Sequence, residues 1–538
     1  MRNLKFLNKF NAPAKDPKSF SFYCYKCKKL IAELITKDEL GVDKECKQCL
    51  QSYKLSTSYD NYFVNLDLTH QLTSLFADEE ILNSVVKTSR KYRESCQNNS
   101  STNISDIFDS EMYKKNEYIH SKNKDDVVLT VNVNIDGAKM FEVSKKSLWS
   151  VLLQINELPE NLRFKIILIA SSWYADHEPD PFEMQIFVKT FLKSIHNLMH
   201  NGLTANYKGK KIKIFIYPLL FPVDAKARSP IALRIGVIGY HGCVWCYIFG
   251  KQGKQGTAVR YPVNRTLGEP SLSEERTHNS YLKDVKKAKR NQTMYHGVHG
   301  LKMALIKGIP NSDAVWIFPA EYLHLVALGV SKKKWIKMSE ILKKSEREAI
   351  DARLCQIRPP SELYRVPDEL KKKGIWKGAD WLYWLLFYEI PCFEGIVEDK
   401  YIKTFLKLIN CMHYLLAKNI DLSELDHNEN EMVDFCIECE DHFGIDFITS
   451  NMHAILHICK SVRKCGPLWA TSAFVFESKI ANIKNRIHGT TRVADQVANA
   501  TSEYYEHRNK ILNKVVGSNN MANLYCLNLL FDRKKSNI

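Results

Sequence analysis

Val127-Val-Leu-Thr-Val-Asn-Val-Asn-Ile-Asp-Gly137 is the stretch on which the reading of the fold turns. Leu129, Val131, Val133 and Ile135 alternate with Thr130, Asn132, Asn134 and Asp136, the period-two pattern of a half-buried strand. Asp136 therefore falls on the polar face. Asp136-Gly137 is also a strong hairpin-turn signal, so a turn and a strand end both remain open for this pair. Phe164 to Ala170 and Ile212 to Leu219 give two more strand patterns, with an amphipathic helical stretch, Pro181 to Asn201, between them. Strands that precede and flank helices predict a mixed α/β core.

Outward from this core, residues 1–18 read as a basic arm and 19–55 as a cysteine-rich module. Residues 56–126 read as a helical and polar linker, whose polar stretch Glu94 to Asp126, with Gln97-Asn-Asn-Ser-Ser-Thr-Asn103, has too little apolar surface for a core. The first part of the core spans 127–246, a long helical insertion 247–450, and returning helices 451–515, interrupted at Gly466-Pro467. A tail, 516–538, ends in the basic run Arg533-Lys534-Lys535.

A hydrophobic content of 45% argues for globular structure over disorder. The net charge of +17 raises the local concentration of polyanions and puts nucleic acid first among partner classes, though charge alone does not decide it. Met1 to Phe10 lacks the apolar run and cleavage site of a secretory signal. No stretch approaches the roughly 18 apolar residues of a membrane helix, and the nearest, Ile214 to Val223, is broken by Pro218 and Pro222. A soluble protein is expected. In such a chain fifteen cysteines point to thiols and metal ligands before disulfides.

Cys24-Tyr-Lys-Cys27 and Cys46-Lys-Gln-Cys49 are two CxxC knuckles at the spacing of one tetrahedral four-cysteine zinc site. Cys243-Val-Trp-Cys246 has no second knuckle nearby, whereas His453 and His457 stand at i and i+4, on one face of a helix. Two thiolates and two imidazoles would close a second zinc site. Packing roles for the histidines and the competing pair Cys436 and Cys439 are the alternatives.

Several segments, in this order, resemble the transposase domain of CACTA (En/Spm)-type elements. They are Gly239 to Pro262, Phe318-Pro-Ala-Glu-Tyr-Leu-His324 with Leu328-Gly-Val330, Trp376-Lys-Gly-Ala-Asp-Trp381, and His453 to Gln496 with Cys465-Gly-Pro-Leu-Trp469, Phe476-Glu477 and His488-Gly-Thr490. The resemblance runs from about Val127 to Gln496 and extends to the Transib transposases and the catalytic subunit of the V(D)J recombinase. It departs from the family at Glu321, where an Asp is usual, and at Lys226, where a Pro or small residue is usual.

The resemblance implies an RNase H-like mixed sheet core, interrupted by a large helical insertion and preceded by a zinc ribbon. It also implies a DDE-type enzyme that cleaves and joins DNA with two divalent ions, Mg or Mn. The carboxylates matching the family's positions are Asp136, supported by Trp149 shortly after the Asp-Gly pair, Asp224 and Glu477. A helix cap for Asp224 and a solvated helix face for Glu477 are the competing readings. Cys243, Cys246, His453 and His457 would hold a structural zinc that ties the ends of the insertion together. The expected partners are double-stranded DNA at element ends and further copies of the chain, in the nucleus. Arg486, His488 and Arg492 are the candidate phosphate contacts, ahead of Lys332 to Lys334 and Lys371 to Lys373. A domesticated, non-cleaving zinc-containing DNA-binding or regulatory protein is the alternative function.

Overall fold

The computed structural model describes residues 18–95, 102–142, 145–254, 258–263, 273–360, 363 and 367–515; most of the basic arm, the core of the polar stretch near 97–101 and the tail from 516 lie outside them. The chain runs through β1 (Lys18–Tyr23), β2 (Leu30–Ile35), β3 (Tyr62–Leu66), α1 (Leu68–Phe76) and α2 (Glu79–Ser95). Next come β4 (Val127–Lys139), β5 (Ser147–Ile155), β6 (Ile167–Ala175), α3 (Pro181–His200), β7 (Leu203–Tyr207) and β8 (Lys210–Leu220). Among the helices after these are α4 (Ala225–Ile231), α5 (Asp399–Leu415), α6 (Leu422–Phe443), α7 (Phe474–Lys484) and α8 (Val493–Val515).

These residues group into two compact units, one of 1–93, 121–218 and 475–538 and one of 94–120 and 219–474. The first is built on an eight-stranded sheet in the order β7-β8-β4-β5-β6-β3-β1-β2. Its hydrophobic alternation decides the layers. Phe187 of α3 packs against Trp173 and Phe63 on one face. On the other, Phe476, Ile480 and Ile483 of α7 and Val493, Val497 and Ala498 of α8 join a core with Leu148, Leu152, Ile169 and Val64. This α/β core, entered by a long, mainly helical stretch and carrying a cysteine cluster at its N-terminal end, is consistent with a generic RNase H-like, zinc-binding arrangement.

β4 extends past Gly137, and its register with β5 pairs Asp136 with Ser150 and Gly137 with Trp149. The hairpin turn therefore comes after Lys139, and the turn reading of Asp136-Gly137 is corrected. The glycine has a different cause: a Cβ at 137 would run into the Trp149 indole laid across it. The expectation of a half-buried strand is corrected too, since Val127 to Ile135 is buried on both faces. Thr130 and Asn132 bond to buried side chains instead of meeting water. Thr130 donates from its N–H and its hydroxyl to Glu157 at 2.8 Å, and Asn132 donates to Gln154 at 3.2 Å.

The stretch read as a linker, 56–126, is largely structure. β3 is buried throughout, and α1 opens on an Asp67 cap that accepts from the Thr69 N–H. Ile107, Phe108, Tyr113 and Ile119 are each 0–1% exposed inside the second unit, and each such apolar burial contributes about 1.5–3 kcal/mol. The third strand pattern corresponds to β8, and the second is displaced, since Phe164 ends a short helix and β6 begins at Ile167. No helix among the described residues is long and apolar enough to cross a membrane.

Candidate metal centres and carboxylates

Both N-terminal knuckles fold alike. The Cys24 N–H donates to the Lys29 carbonyl and the Lys28 N–H to Cys24, and Cys46 does the same with Gln51 and Leu50. Lys28 and Leu50, each four residues past its first cysteine, adopt the left-handed conformation at φ 54° and 59°. The first knuckle joins β1 to β2, and the second joins the short strands Asp43–Glu45 and Ser52–Lys54. Cys24 Sγ lies 3.4 Å from Cys49 Sγ, and Cys27 Sγ 3.3 Å from Cys46 Sγ. Burial alone would raise the Cys24 thiol, but the Tyr53 hydroxyl at 3.1 Å and the backbone N–H of Cys27 outweigh it and lower the thiol to about 6.

The second cluster, in the other unit, is buried at all four positions. Cys243 Sγ is 3.4 Å from His457 Nε2, Cys246 Sγ 3.2 Å from His453 Nε2, and the two Nε2 atoms 3.3 Å apart. A tetrahedral ion at about 2.3 Å from sulfur and about 2.0 Å from nitrogen sets two nitrogens about 3.3 Å, sulfur and nitrogen about 3.5 Å and two sulfurs about 3.8 Å apart. The second cluster matches the edges that involve nitrogen, the sulfurs of the first stand about 0.4 Å closer, and both donor sets are of the kind that holds zinc. His453 lies in the last turn of the helix Ser450–Ala454, and His457 closes the tighter 3-10 turn that follows. The knuckle is anchored from outside: Trp245 Nε1 donates to the Phe318 carbonyl at 3.0 Å, and Arg276 Nε to the Cys246 carbonyl at 2.8 Å. The competing Cys436 bonds to the Met452 carbonyl, and burial pushes it and Cys439 up as neutral thiols. Among the described residues these two clusters are the groups of three or more Cys, His, Asp or Glu ligand atoms that come together, and neither contains a carboxylate.

Of the three predicted carboxylates, Asp136 lies within β4, part-buried, with Oδ1 accepting from the Gly137 N–H at 2.7 Å. Directly paired residues share a sheet face, so Asp136 and Ser150 lie on the face of Leu148 and Leu152, which α7 covers. Glu477 stands in the first turn of α7, next to buried Phe476. Asp224 belongs to the second unit and caps α4, accepting from the Ala227 N–H at 2.7 Å. One turn on, the Arg228 guanidinium stacks 4.5 Å above the Trp245 ring of the metal knuckle. Burial lowers the Arg228 pKa, and the negative charges of Cys243, Asp224 and Glu321 partly restore it. The Asp224 helix is thus tied to the second metal centre.

Glu321 is not available as a metal ligand. Its carboxylate accepts from the N–H groups of Leu323, His324 and Ala473 and from His324 Nδ1 at 2.8 Å. The three predicted DNA contacts lie exposed on the turn between α7 and α8, where Gln496 shapes the backbone by bonding His488, Gly489 and Thr491. Arg492 there pairs with Asp495 at 3.5 Å. Three lysines of the other basic runs have acidic partners. Lys334 is fully buried against Glu389 at 3.0 Å, and Lys371 and Lys372 are paired with Glu369 and Asp368. Sequence reasoning missed Tyr53 and Arg228, whose only local signal is their nearness to a knuckle or a carboxylate. No family model matches the chain, and a search of curated proteins returns no match.

Proposed function

We propose that the chain is a DDE-type DNA-cleaving and strand-transferring enzyme of RNase H-like build, with two structural zinc ions held by the cysteine and histidine clusters. The observation that carries the reading is Asp136, inside β4 of the sheet, on the face covered by the helix that bears Glu477. The sheet order β6-β5-β4-β8, with α3 between β6 and β8 along the chain, supports it. So does the place of Asp224 just after β8.

In this reading Asp136, Asp224 and Glu477 hold two Mg or Mn ions, whose chemistry is to activate the attacking oxygen and stabilise the leaving one. Gly137 under Trp149 fixes the strand beneath Asp136. Arg228 on Trp245 holds the helix behind Asp224. The exposed basic turn after α7 contacts phosphate without reading sequence.

The test is nicking and joining of a plasmid that carries the coding sequence with its genomic flanks, in Mg or Mn. Wild type nicks, and Asp136→Asn binds the same DNA with nicking lost by at least a hundredfold. Nicking that survives in Asp136→Asn, or none by wild type, overturns the proposal.

A further inference from the structure

One cleft of the first unit, about 200 Å³ in volume, is lined by Lys165 ahead of β6, Lys479 and Asn482 of α7, Arg486 after it, and Gln496 of α8. No carboxylate among the described residues lines it. Among the described residues neither Lys479 nor Arg486 has an ion-pair partner. Lys479 stands part-buried on α7, and burial, then repulsion from Arg486, lower its amine to about 8. A fold gains nothing from holding a part-buried ammonium beside an exposed guanidinium of the same sign.

We propose that this cleft is a phosphate-binding site for a nucleic-acid backbone, with Lys479 and Arg486 gripping one phosphodiester and Asn482 and Gln496 lining the same cleft. A free phosphate would need the cleft alone. Here the positive surface continues outward through exposed Lys484 and Arg486, and Tyr504, 37% exposed, lines the same cleft and offers a ring to a base. The identity of the ligand rests on the proposed nucleic-acid function, whereas the anion site rests on the cleft itself.

The experiment measures binding of a fluorescent random-sequence DNA duplex by the full-length, zinc-loaded chain across a salt series, with no Mg or Mn added. Lys479→Met and Arg486→Gln are each expected to weaken binding about tenfold and to lower the slope of log affinity against log salt by about 1. Lys479→Met is also expected to raise the melting temperature, because it removes an unpaired, part-buried charge; a merely structural lysine would lower it. Wild-type binding with slopes unchanged in both variants overturns the cleft and leaves the catalytic proposal standing. Inorganic phosphate that binds the cleft while DNA affinity stays unaltered in both variants overturns the nucleic-acid assignment. A wild type that binds no DNA overturns the function proposed above.

Discussion

Replacing Cys246 with serine removes one of four ligand atoms in the buried cluster and leaves the other three around the same centre. Cys246 and His453 stand 207 residues apart in the chain. By the loop-closure estimate used for disulfides, a link over that length removes about 5 kcal/mol of freedom from the unfolded chain. The N-terminal cluster joins cysteines 19 and 25 residues apart, for which the same estimate gives about 3 kcal/mol. At about 2 °C per kcal/mol in a unit of this size, Cys246→Ser is expected to lower the melting transition of the second unit by about 10 °C. The assay pairs elemental analysis with thermal unfolding. Metal content should fall from two ions per chain to one, while Cys436→Ser, outside both clusters, keeps two. A Cys246→Ser protein that retains two ions and an unmoved transition refutes the assignment of this centre.

Gly137→Ala is expected to destabilise the first unit by about 1–3 kcal/mol through collision with Trp149. Adding Trp149→Val should return part of that loss in a double-mutant cycle, whereas additive losses would contradict the packing explanation. Glu157, fully buried, has its carboxyl raised to about 8 by burial, which the Thr130 bonds only partly offset. Its folded pKa lies above its unfolded one, so stability is highest below about pH 4.5 and is lost as pH rises toward about 8. Urea midpoints between pH 6 and 8 should reveal a loss of about 2–3 kcal/mol that is absent in Glu157→Gln; equal slopes in both proteins would contradict it. Lys334→Met alone should cost about 3–5 kcal/mol by stranding Glu389, and Lys334→Met with Glu389→Leu should recover most of it, as read by denaturant midpoints. Neither change should alter DNA affinity, which checks that Lys334 is no phosphate contact.

What was legible in the sequence is what short-range pattern encodes. The knuckles announce themselves because two thiolates must reach one ion from adjacent turns, and His453 and His457 because a helical repeat aligns them. The strand at Val127 and the helix at Pro181 follow from periodicity, and the capping box of Asp180 and Glu183 fixes where that helix starts. The rest depends on partners far along the chain. β3 pairs with β6 across more than a hundred residues, so nothing near Tyr62 signals that the cysteine module extends the core sheet. The polar set of β4 looked solvated because no local pattern reveals that Glu157 and Gln154 would bury it with bonds made. Lys334 misled for the converse reason: a charge run says nothing of a glutamate 55 residues away that draws one member inside.

The order of the first unit along the chain has a consequence for synthesis. The sheet is laid down by residue 220, yet α7 and α8, which close one of its faces, follow only after residue 473. At ordinary elongation rates that face waits for tens of seconds while the second unit emerges. Leu148, Leu152, Ile169 and Val64 are apolar surface throughout that interval. A ribosome-bound chain halted between residues 220 and 473 is therefore expected to be a strong client of chaperones, and release of any product ending there should lead to aggregation, even though every strand is present.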